Sequence, residues 1–92
     1  MDTIYLKQKI EQAILEHKLI KMDYVSAKHE ITYDRLVEPF NIRKNENGEP
    51  FSIYAHCLLK NGLREFQFEG IQKIELVDYL QGYESKIDNT KV

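Results

Sequence analysis

Cysteine and long apolar runs are scarce in this sequence. Its one cysteine, Cys57, cannot form a disulfide within the chain and is predicted to be a small buried hydrophobic residue. No apolar stretch approaches the roughly 20 residues that cross a membrane. The first residues contain Asp2 and no long apolar run, so they do not resemble a secretory signal. These absences predict a cytoplasmic protein.

An excess of positive charge and the common enzyme motifs are absent as well. The chain has 13 Lys and Arg against 15 Asp and Glu, so binding of nucleic acid through its phosphates would need a local basic patch. There is no G-x-S-x-G, P-loop or H-E-x-x-H motif, and the three histidines lack metal-ligand spacing. Glu65 and Glu69 are interpreted as solvated carboxylates. We therefore expect a non-catalytic protein with no metal and no cofactor.

The spacing of apolar residues predicts one helix followed by short antiparallel strands. Residues 3–17 carry apolar residues at helical spacing, and Asp2 or Thr3 can cap the start. Further along, apolar residues recur at every second position, which is typical of strands with one buried face. The predicted strands are 18–26, 31–38, a short segment at 40–44, a long hairpin at 51–69, and 71–77.

This order of elements predicts a mainly β (α+β) domain, with a strongly bent sheet or small open barrel behind one N-terminal helix. The 92 residues suit one domain, which we expect over residues 1–85, with 86–92 as a flexible tail. In the second strand, Ile31, Tyr33, Arg35 and Val37 are predicted to share a face. Pro39 is expected to end or bend that strand because it has no amide hydrogen to donate to a ladder.

The hairpin at 51–69 is the most specific element of this prediction. Asn61-Gly62 is the preferred pair for a two-residue type I′ turn, in which both central residues have positive φ. The turn would place Phe66 and Phe68 opposite small residues on the core side. The predicted pairs are Lys60–Leu63, Leu59–Arg64, Cys57–Phe66, His56–Gln67, Ala55–Phe68 and Tyr54–Glu69.

Six polar residues of these strands are candidates for a ligand site. His56 shares the polar face of the hairpin with Ser52, Tyr54 and Gln67. Arg64 stands at the loop end of the apolar face, where an arginine either extends into solvent or binds an anion. Arg35 alternates in register with apolar neighbours, so it either forms an internal pair or contacts a ligand.

The ordered series of motifs resembles the WYL domain family. The matching segments are Y-D-R-L-V-E-P at 33–39, F-S-I-Y-A-H-C at 51–57, the Asn-Gly turn, L-R-E-F-Q-F at 63–68 and I-Q-K-I-E-L at 71–76. The resemblance implies an Sm-like small β-barrel of about five antiparallel strands with an N-terminal helix. It also implies a sensory or regulatory module of the kind found in bacterial transcription factors, which binds nucleic acid or nucleotide-like ligands through polar and basic residues.

Departures from the family pattern fall on the implied ligand site. Phe51-Ser52-Ile53 stands where the family has Trp-Tyr-Leu, so Ser52 replaces a polar aromatic residue. Arg64 matches the family's arginine ahead of the Phe, whereas Gln67 and Gly70 stand where arginine is frequent. The resemblance thus implies an anion site that keeps Arg64 and has lost positive charge.

Two functions remain open from the sequence. The first is a non-catalytic regulatory module that binds single-stranded nucleic acid or a nucleotide, supported by Arg35 and lined by Ser52, Tyr54, His56, Arg64 and Gln67. The second is a protein-interaction module without a small ligand, a homodimer or accessory subunit, for which exposed Leu58 and Tyr5 are the hints. Because the residues before Lys18 leave room for one helix only, a DNA-binding domain is expected to come from a partner protein.

Overall fold

The computed structural model describes residues 2–86 and shows one helix and one five-stranded antiparallel sheet. The elements are α1 (Thr3–Leu15), β1 (Leu19–Val25), β2 (Ile31–Lys44), β3 (Pro50–Cys57), β4 (Gly62–Gln67) and β5 (Ile71–Val77). A single 3-10 turn at Phe68–Gly70 joins β4 to β5. The strand order is β4-β3-β2-β1-β5, so two strands that follow each other in the chain lie at opposite edges. The sheet is strongly bent and not closed, which confirms the predicted mainly β open barrel.

Helix α1 begins and ends through local hydrogen bonds. The Asp2 carboxylate accepts the Ile4 amide at 3.1 Å, as an N-cap does. At the other end His17 has a φ of 56°, and the Lys18 amide donates to the Ala13 carbonyl at 2.8 Å. This is the left-handed cap that satisfies the last carbonyls of many helices. The helix is therefore two residues shorter than predicted, and His17 is exposed.

The core lies between α1 and the concave face of the sheet. Phe66 and Phe68 are buried, as predicted, and the Tyr24 ring meets the Phe66 ring edge-on with centroids 5.0 Å apart. Cys57 is fully buried and free. The other core residues are Leu6, Ile10 and Ala13 of α1 and Ile20, Met22, Val37, Ile53, Ala55 and Ile71 of the strands. No helix among residues 2–86 is long and apolar enough to cross a membrane.

The hairpin between β3 and β4 has a four-residue loop, so the predicted turn and register are wrong. Cys57 pairs with Gly62 instead of Phe66, a shift of four residues. Asn61 has a φ of 51°, but Gly62 has no positive φ, so the type I′ turn does not form. The Leu58 amide donates to the Leu36 carbonyl on β2 at 3.1 Å, which holds the first residue of the loop against β2.

The observed pairs preserve the predicted faces of the hairpin. They are Ser52–Gln67, Ile53–Phe66, Tyr54–Glu65, Ala55–Arg64 and His56–Leu63. Because side chains alternate with a period of two, a shift by an even number of residues leaves every side chain on its face. The predicted partners are therefore wrong, while the assignment of core and polar sides is confirmed.

Strand β2 is one long strand with two bulges, and residues 40–44 form its second half rather than a separate strand. Pairing with β3 passes from Pro39–Ala55 to Asn41–Tyr54, so Phe40 is an extra residue. A bulge of this kind bends the strand and accommodates the missing amide hydrogen of Pro39. The strand does not end at Pro39, and the irregularity next to it is the bulge at Phe40.

The other bulge overturns part of the predicted face of β2. Pairing with β1 passes from Met22–Arg35 to Tyr24–Thr32, and Asp34 takes a φ of 51°. The Asp34 amide donates to the Asp23 carboxylate at 2.9 Å. Because one extra residue inverts the alternation beyond it, Ile31 and Tyr33 are 54% and 70% exposed instead of facing the core with Val37.

The segment after β5 packs on the convex face of the sheet, where it contacts Glu38 of β2. Glu38 is only 1% exposed. It accepts hydrogen bonds from Tyr79, Tyr83, Ser85 and the Lys86 amide. We call residues 78–86 the C-terminal segment. Lys86 is the first residue of the predicted tail, and residues 87–92 lie outside the described residues, so the tail remains a prediction.

Candidate ligand-binding site

A polar cluster on the convex face of β2, β3 and β4 is the candidate ligand-binding site. Strand pairing builds it, because Arg43 pairs with Ser52 and Tyr54 pairs with Glu65. Residues that pair directly across antiparallel strands place their side chains on the same face. With the neighbouring Phe51, these residues form what we call the Arg43 cluster: Arg43, Phe51, Ser52, Tyr54 and Glu65.

The guanidinium group of Arg43 lies at the centre of the cluster. Its Nη1 donates to the Tyr54 hydroxyl at 3.0 Å and lies 3.4 Å from each carboxylate oxygen of Glu65. Its central carbon is 4.9 Å from the centroid of the Tyr54 ring and 5.8 Å from that of Phe51. Two aromatic faces therefore flank one cation at cation–π distance.

Glu65 is held in place from the other side by Ser52. The Ser52 hydroxyl is buried and donates to Oε2 of Glu65 at 2.5 Å. The carboxylate of Glu65 is thus a hydrogen-bonded acceptor rather than the freely solvated group that the sequence suggested. This contact was not predicted, because the predicted register placed Tyr54 opposite Glu69.

The cluster combines an exposed cation with exposed aromatic surface. Arg43 and Phe51 are both exposed, and Tyr54 is half-buried. Aromatic rings and guanidinium planes stack on nucleobases whatever the sequence, and a guanidinium binds phosphate oxygens in pairs. Glu65 already occupies part of the guanidinium, so an anionic ligand has to compete with it.

Four of the six predicted site residues lie on this convex face. Ser52 and Tyr54 belong to the Arg43 cluster, and Gln67 pairs with Ser52 beside it. His56 lies further along β3, where it is 8% exposed and pairs with Glu38. The structure therefore brings Ser52, Tyr54 and Gln67 together and leaves His56 buried near the C-terminal segment.

The two predicted arginines lie on the other face of the sheet. Arg64 is exposed, pairs with Ala55 and donates to the carbonyl of Leu63 at 3.0 Å. Arg35 lies with its guanidinium carbon 5.2 Å from the centroid of the Phe66 ring. The six residues consequently do not form one site with all side chains on one face.

Arg43 is the residue that sequence reasoning missed. It follows Val37 by six residues, so in a regular strand it would share the core-facing side of Val37. The bulge at Phe40 inverts the alternation and turns Arg43 outward. Pro39 indicates in the sequence that β2 is irregular here, but it does not show that a residue is inserted.

Residue 70 is a glycine where the resemblance would place an arginine. A Cβ atom at residue 70 would collide with the backbone carbonyl oxygen of Val25 and lie 2.7 Å from the Tyr24 ring. The hydroxyl of Tyr24 also accepts the Gln67 amide at 2.9 Å. The turn between β4 and β5 is therefore packed against β1, and a side chain at residue 70 has no room in this chain.

A second polar cluster surrounds Glu38. The Tyr79 and Tyr83 hydroxyls donate to its carboxylate at 2.9 and 2.7 Å, the Lys86 amide donates at 2.8 Å, and the Ser85 hydroxyl donates as well. Burial acts to raise the pKa of Glu38, but these hydrogen bonds outweigh it and hold the pKa below its ordinary value. Burial, together with the bond to Glu38 and its negative charge, raises the pKa of Tyr83.

The Glu38 cluster is a structural contact rather than an open site. Its carboxylate is buried and already accepts four hydrogen bonds, so an incoming ligand finds no free acceptor there. Within residues 2–86, no group of three or more His, Cys, Asp or Glu side chains is placed to hold a metal ion.

Comparison with known proteins supports the fold assignment. Proteasome accessory factor B/C (PafBC) of Arthrobacter aurescens is similar in structure, with a TM-score of 0.72 and 24% sequence identity. The match covers 96% of this chain but only 13% of that protein, so the shared part is a small portion of a much longer chain. No curated protein sequence matches the chain. The family model of the WYL domain matches residues 6–76, and the chain therefore belongs to the WYL domain family.

Proposed function

We propose that this WYL domain is a non-catalytic regulatory module that binds single-stranded nucleic acid or a nucleotide at the Arg43 cluster. The observation that carries the proposal is the exposed guanidinium of Arg43 within cation–π distance of the rings of both Tyr54 and Phe51. A nucleobase would stack on this aromatic and guanidinium surface, and a phosphate would accept hydrogen bonds from Arg43.

Binding would exchange one acceptor on Arg43 for another. In the free protein Glu65 accepts from Arg43 at 3.4 Å, which is longer than the usual charge-assisted bond of about 2.7–2.9 Å. A ligand phosphate would replace this long contact, and Ser52 would continue to hold Glu65. With a net charge of −2, the protein depends on this local cation and not on a general positive field.

The regulatory part of the proposal rests on the family. WYL domains commonly serve as sensory or regulatory modules beside other domains, and the matched protein PafBC is about eight times longer than the shared part. We infer that the domain acts together with a DNA-binding partner protein and reports ligand occupancy to it.

The test is a titration of the protein into fluorescently labelled single-stranded DNA, read by anisotropy at low and at moderate salt, with nucleotides as competitors. We expect affinity to fall as salt rises, because phosphate binding releases counterions. Replacing Arg43 by methionine removes the charge and keeps an apolar stem, and should weaken binding by about 1.5–3 kcal/mol. Glu65→Gln should strengthen binding, because the competing charge is lost.

Arg64→Met is the matched control for the position of the site. The sequence predicts that Arg64 belongs to the anion site, whereas the proposal puts the site on the opposite face of β4. If Arg64→Met weakens binding and Arg43→Met does not, the ligand lies on the Arg64 side and the proposed site is wrong. If wild-type protein shows no salt-sensitive binding, nucleic-acid recognition itself is wrong.

A protein-interaction module without a small ligand is the second candidate. Helix α1 exposes Ile4, Tyr5 and Leu15, large apolar side chains that favour a protein contact when they cluster. Leu58, the other hint from the sequence, is half-buried and bonded to β2, so it supports this reading less. Light scattering during size-exclusion chromatography should show a dimer under this reading, and a monomer at high protein concentration would count against self-association.

A further inference from the structure

We propose that β5 is a dimer interface, along which two copies of this chain pair antiparallel about a two-fold axis at Ile74. The strand lies at one edge of the sheet, and among residues 2–86 only β1 pairs with it. An edge strand presents unpaired amide and carbonyl groups along its outer side, and such groups can pair with a strand of another molecule. The interface shares no residue with the Arg43 cluster, so the dimer is independent of the proposed nucleotide site.

The opposite edge of the sheet, β4, has backbone groups that side chains already satisfy. The Gln67 amide at the end of β4 donates to the Tyr24 hydroxyl at 2.9 Å. The Leu63 carbonyl accepts from the Arg64 guanidinium at 3.0 Å. These contacts compete with an incoming strand at β4, so β5 is the edge that favours pairing.

The charges of β5 are complementary to those of a second copy of the same strand. Lys73 and Glu75 flank Ile74, and both are exposed. They lie two residues apart and therefore on one face of the sheet. Antiparallel pairing centred at Ile74 sets Lys73 of each copy opposite Glu75 of the other, and opposite charges directly across two strands attract.

The neighbouring registers lose this complementarity. A pair centred at Lys73 sets two lysines opposite each other, and a pair centred at Glu75 sets two glutamates opposite each other. Like charges directly opposite are destabilising. A pair centred between Ile74 and Glu75 sets an apolar side chain opposite a carboxylate. The sequence of β5 therefore favours one register of self-pairing.

Strand β1 extends the alternation of charge on the same face. Lys21 pairs with Glu75, with its Nζ 3.5 Å from the carboxylate, and Asp23 pairs with Lys73. In the dimer, Glu75 lies between Lys21 of its own copy and Lys73 of the second copy. Lys73 likewise lies between Asp23 of its own copy and Glu75 of the second. Each of the two charges thus has an opposite charge on both sides.

The other face of β5 brings apolar surface to the two-fold axis. Ile74 and Leu76 pack against the core but remain partly exposed, and self-pairing sets Ile74 opposite its own copy. Gln72 is an inserted residue, because pairing with β1 passes from Asp23–Lys73 to Tyr24–Ile71. A bulge interrupts an edge, so the paired segment is short. We therefore expect a weak dimer, as is typical of small interfaces.

Sedimentation velocity over a series of protein concentrations measures the dissociation constant of the dimer. Lys73→Glu sets two glutamates opposite each other on both sides of the axis, and Glu75→Lys sets two lysines there. Each change should weaken the dimer about tenfold or more. Lys44→Glu is the matched control, since it makes the same change of charge at an exposed position of β2, which does not pair with β5. It should leave the dissociation constant unchanged.

Mixing the two charge variants tests the register itself. An equimolar mixture of Lys73→Glu and Glu75→Lys proteins restores opposite charges at both positions, so it should form a heterodimer about as tight as the wild-type dimer. Under oxidising conditions, a mixture of Lys73→Cys and Glu75→Cys proteins should cross-link far more than either protein alone, because only residues directly opposite reach disulfide distance. Cys57 is buried and does not compete.

Three results would overturn the proposal. The first is a wild-type monomer at every concentration, and the second is an assembly larger than a dimer, as expected if β5 pairs with β4 of the next copy. The third is a dimer that dissociates in Leu15→Lys, at a position of α1 that is 80% exposed, but persists in Lys73→Glu. Arg43→Met should leave the dimer unchanged, so failure of the dimer and failure of nucleotide binding are distinguished.

Discussion

Replacing Glu38 by glutamine tests what holds the C-terminal segment to the sheet. The change keeps the size of the side chain and removes its charge. Glu38 is 1% exposed and accepts four hydrogen bonds, three of which measure 2.7, 2.8 and 2.9 Å. A carboxamide offers one acceptor oxygen and turns an NH2 group toward the remaining donors, so it cannot satisfy all of them.

The expected loss of stability follows from those donors. A hydrogen bond to a charged group contributes about 1.5–3 kcal/mol, and glutamine leaves about two of the four donors without an acceptor. Tyr79 and Tyr83 are half-buried and Lys86 is exposed, so we expect water to replace part of what is lost. We therefore expect the free energy of unfolding to fall by about 2–4 kcal/mol at neutral pH, a large share of the stability of a small domain.

The loss should depend on pH in a defined direction. The folded state holds the pKa of Glu38 below its unfolded value, so the stabilisation is fully present above the unfolded value of about 4.3. It is lost as the pH falls through the lower folded pKa, where the wild-type side chain also becomes neutral. The difference between wild type and Glu38→Gln should therefore shrink in acid.

Urea unfolding followed by circular dichroism at neutral and acidic pH measures both quantities. Asp78→Asn is the control, because the hydrogen bond and charge of Lys18 also lower the pKa of Asp78, but on an exposed pair of little energetic weight. A destabilisation by Glu38→Gln of less than about 0.5 kcal/mol, as expected for an ordinary surface change, would refute the reasoning. A larger destabilisation that does not change with pH would refute the reasoning as well.

Substitutions at three further positions test the contacts that shape the barrel, each measured by urea unfolding. Gly70→Ala should destabilise the protein by about 1–3 kcal/mol, because the new methyl group meets the Val25 carbonyl and the Tyr24 ring; a neutral result would show that the turn is loosely packed. Tyr24→Phe should cost about 1 kcal/mol through the lost acceptor of the Gln67 amide, with the ring packing unchanged. Asn61→Ala should lower the free energy of unfolding by about 1–2 kcal/mol, because the φ of 51° is unfavourable for a residue that has a Cβ and no side-chain hydrogen bond. Asn61→Gly should leave it almost unchanged, and equal effects of the two variants would contradict the four-residue loop.

The general architecture was predictable because it depends on alternation alone. The apolar pattern of residues 51–57 and 63–68 sends Phe66 and Phe68 inward whichever residues pair, as long as the shift is even. The N-terminal helix and the strands follow from the same pattern, except that residues 40–44 continue β2 instead of forming a separate strand. The loop length was not predictable, because the Asn-Gly pair favours a two-residue turn and nothing in the local sequence indicates that Cys57 pairs with Gly62.

The Glu38 contacts were beyond sequence reasoning for a related reason. Glu38 falls on the solvent side of a regular strand pattern, so its burial depends on a segment more than 40 residues later. Local spacing carries no information on such a contact. The docking of Tyr79 and Tyr83 depends on a carboxylate that nothing in their own neighbourhood indicates.

The candidate ligand-binding site depends on an odd change of register, which the order of the strands does not reveal. One inserted residue at Phe40 moves Arg43 from the core side to the face of Tyr54, and the bulge at Asp34 turns Tyr33 away from the core. An even shift alters partners and leaves a surface unchanged, whereas a single insertion replaces the whole set of side chains on that surface. Alternation read without the bulges therefore predicts the barrel of this domain but places Tyr33, and by extension Arg43, on the core side.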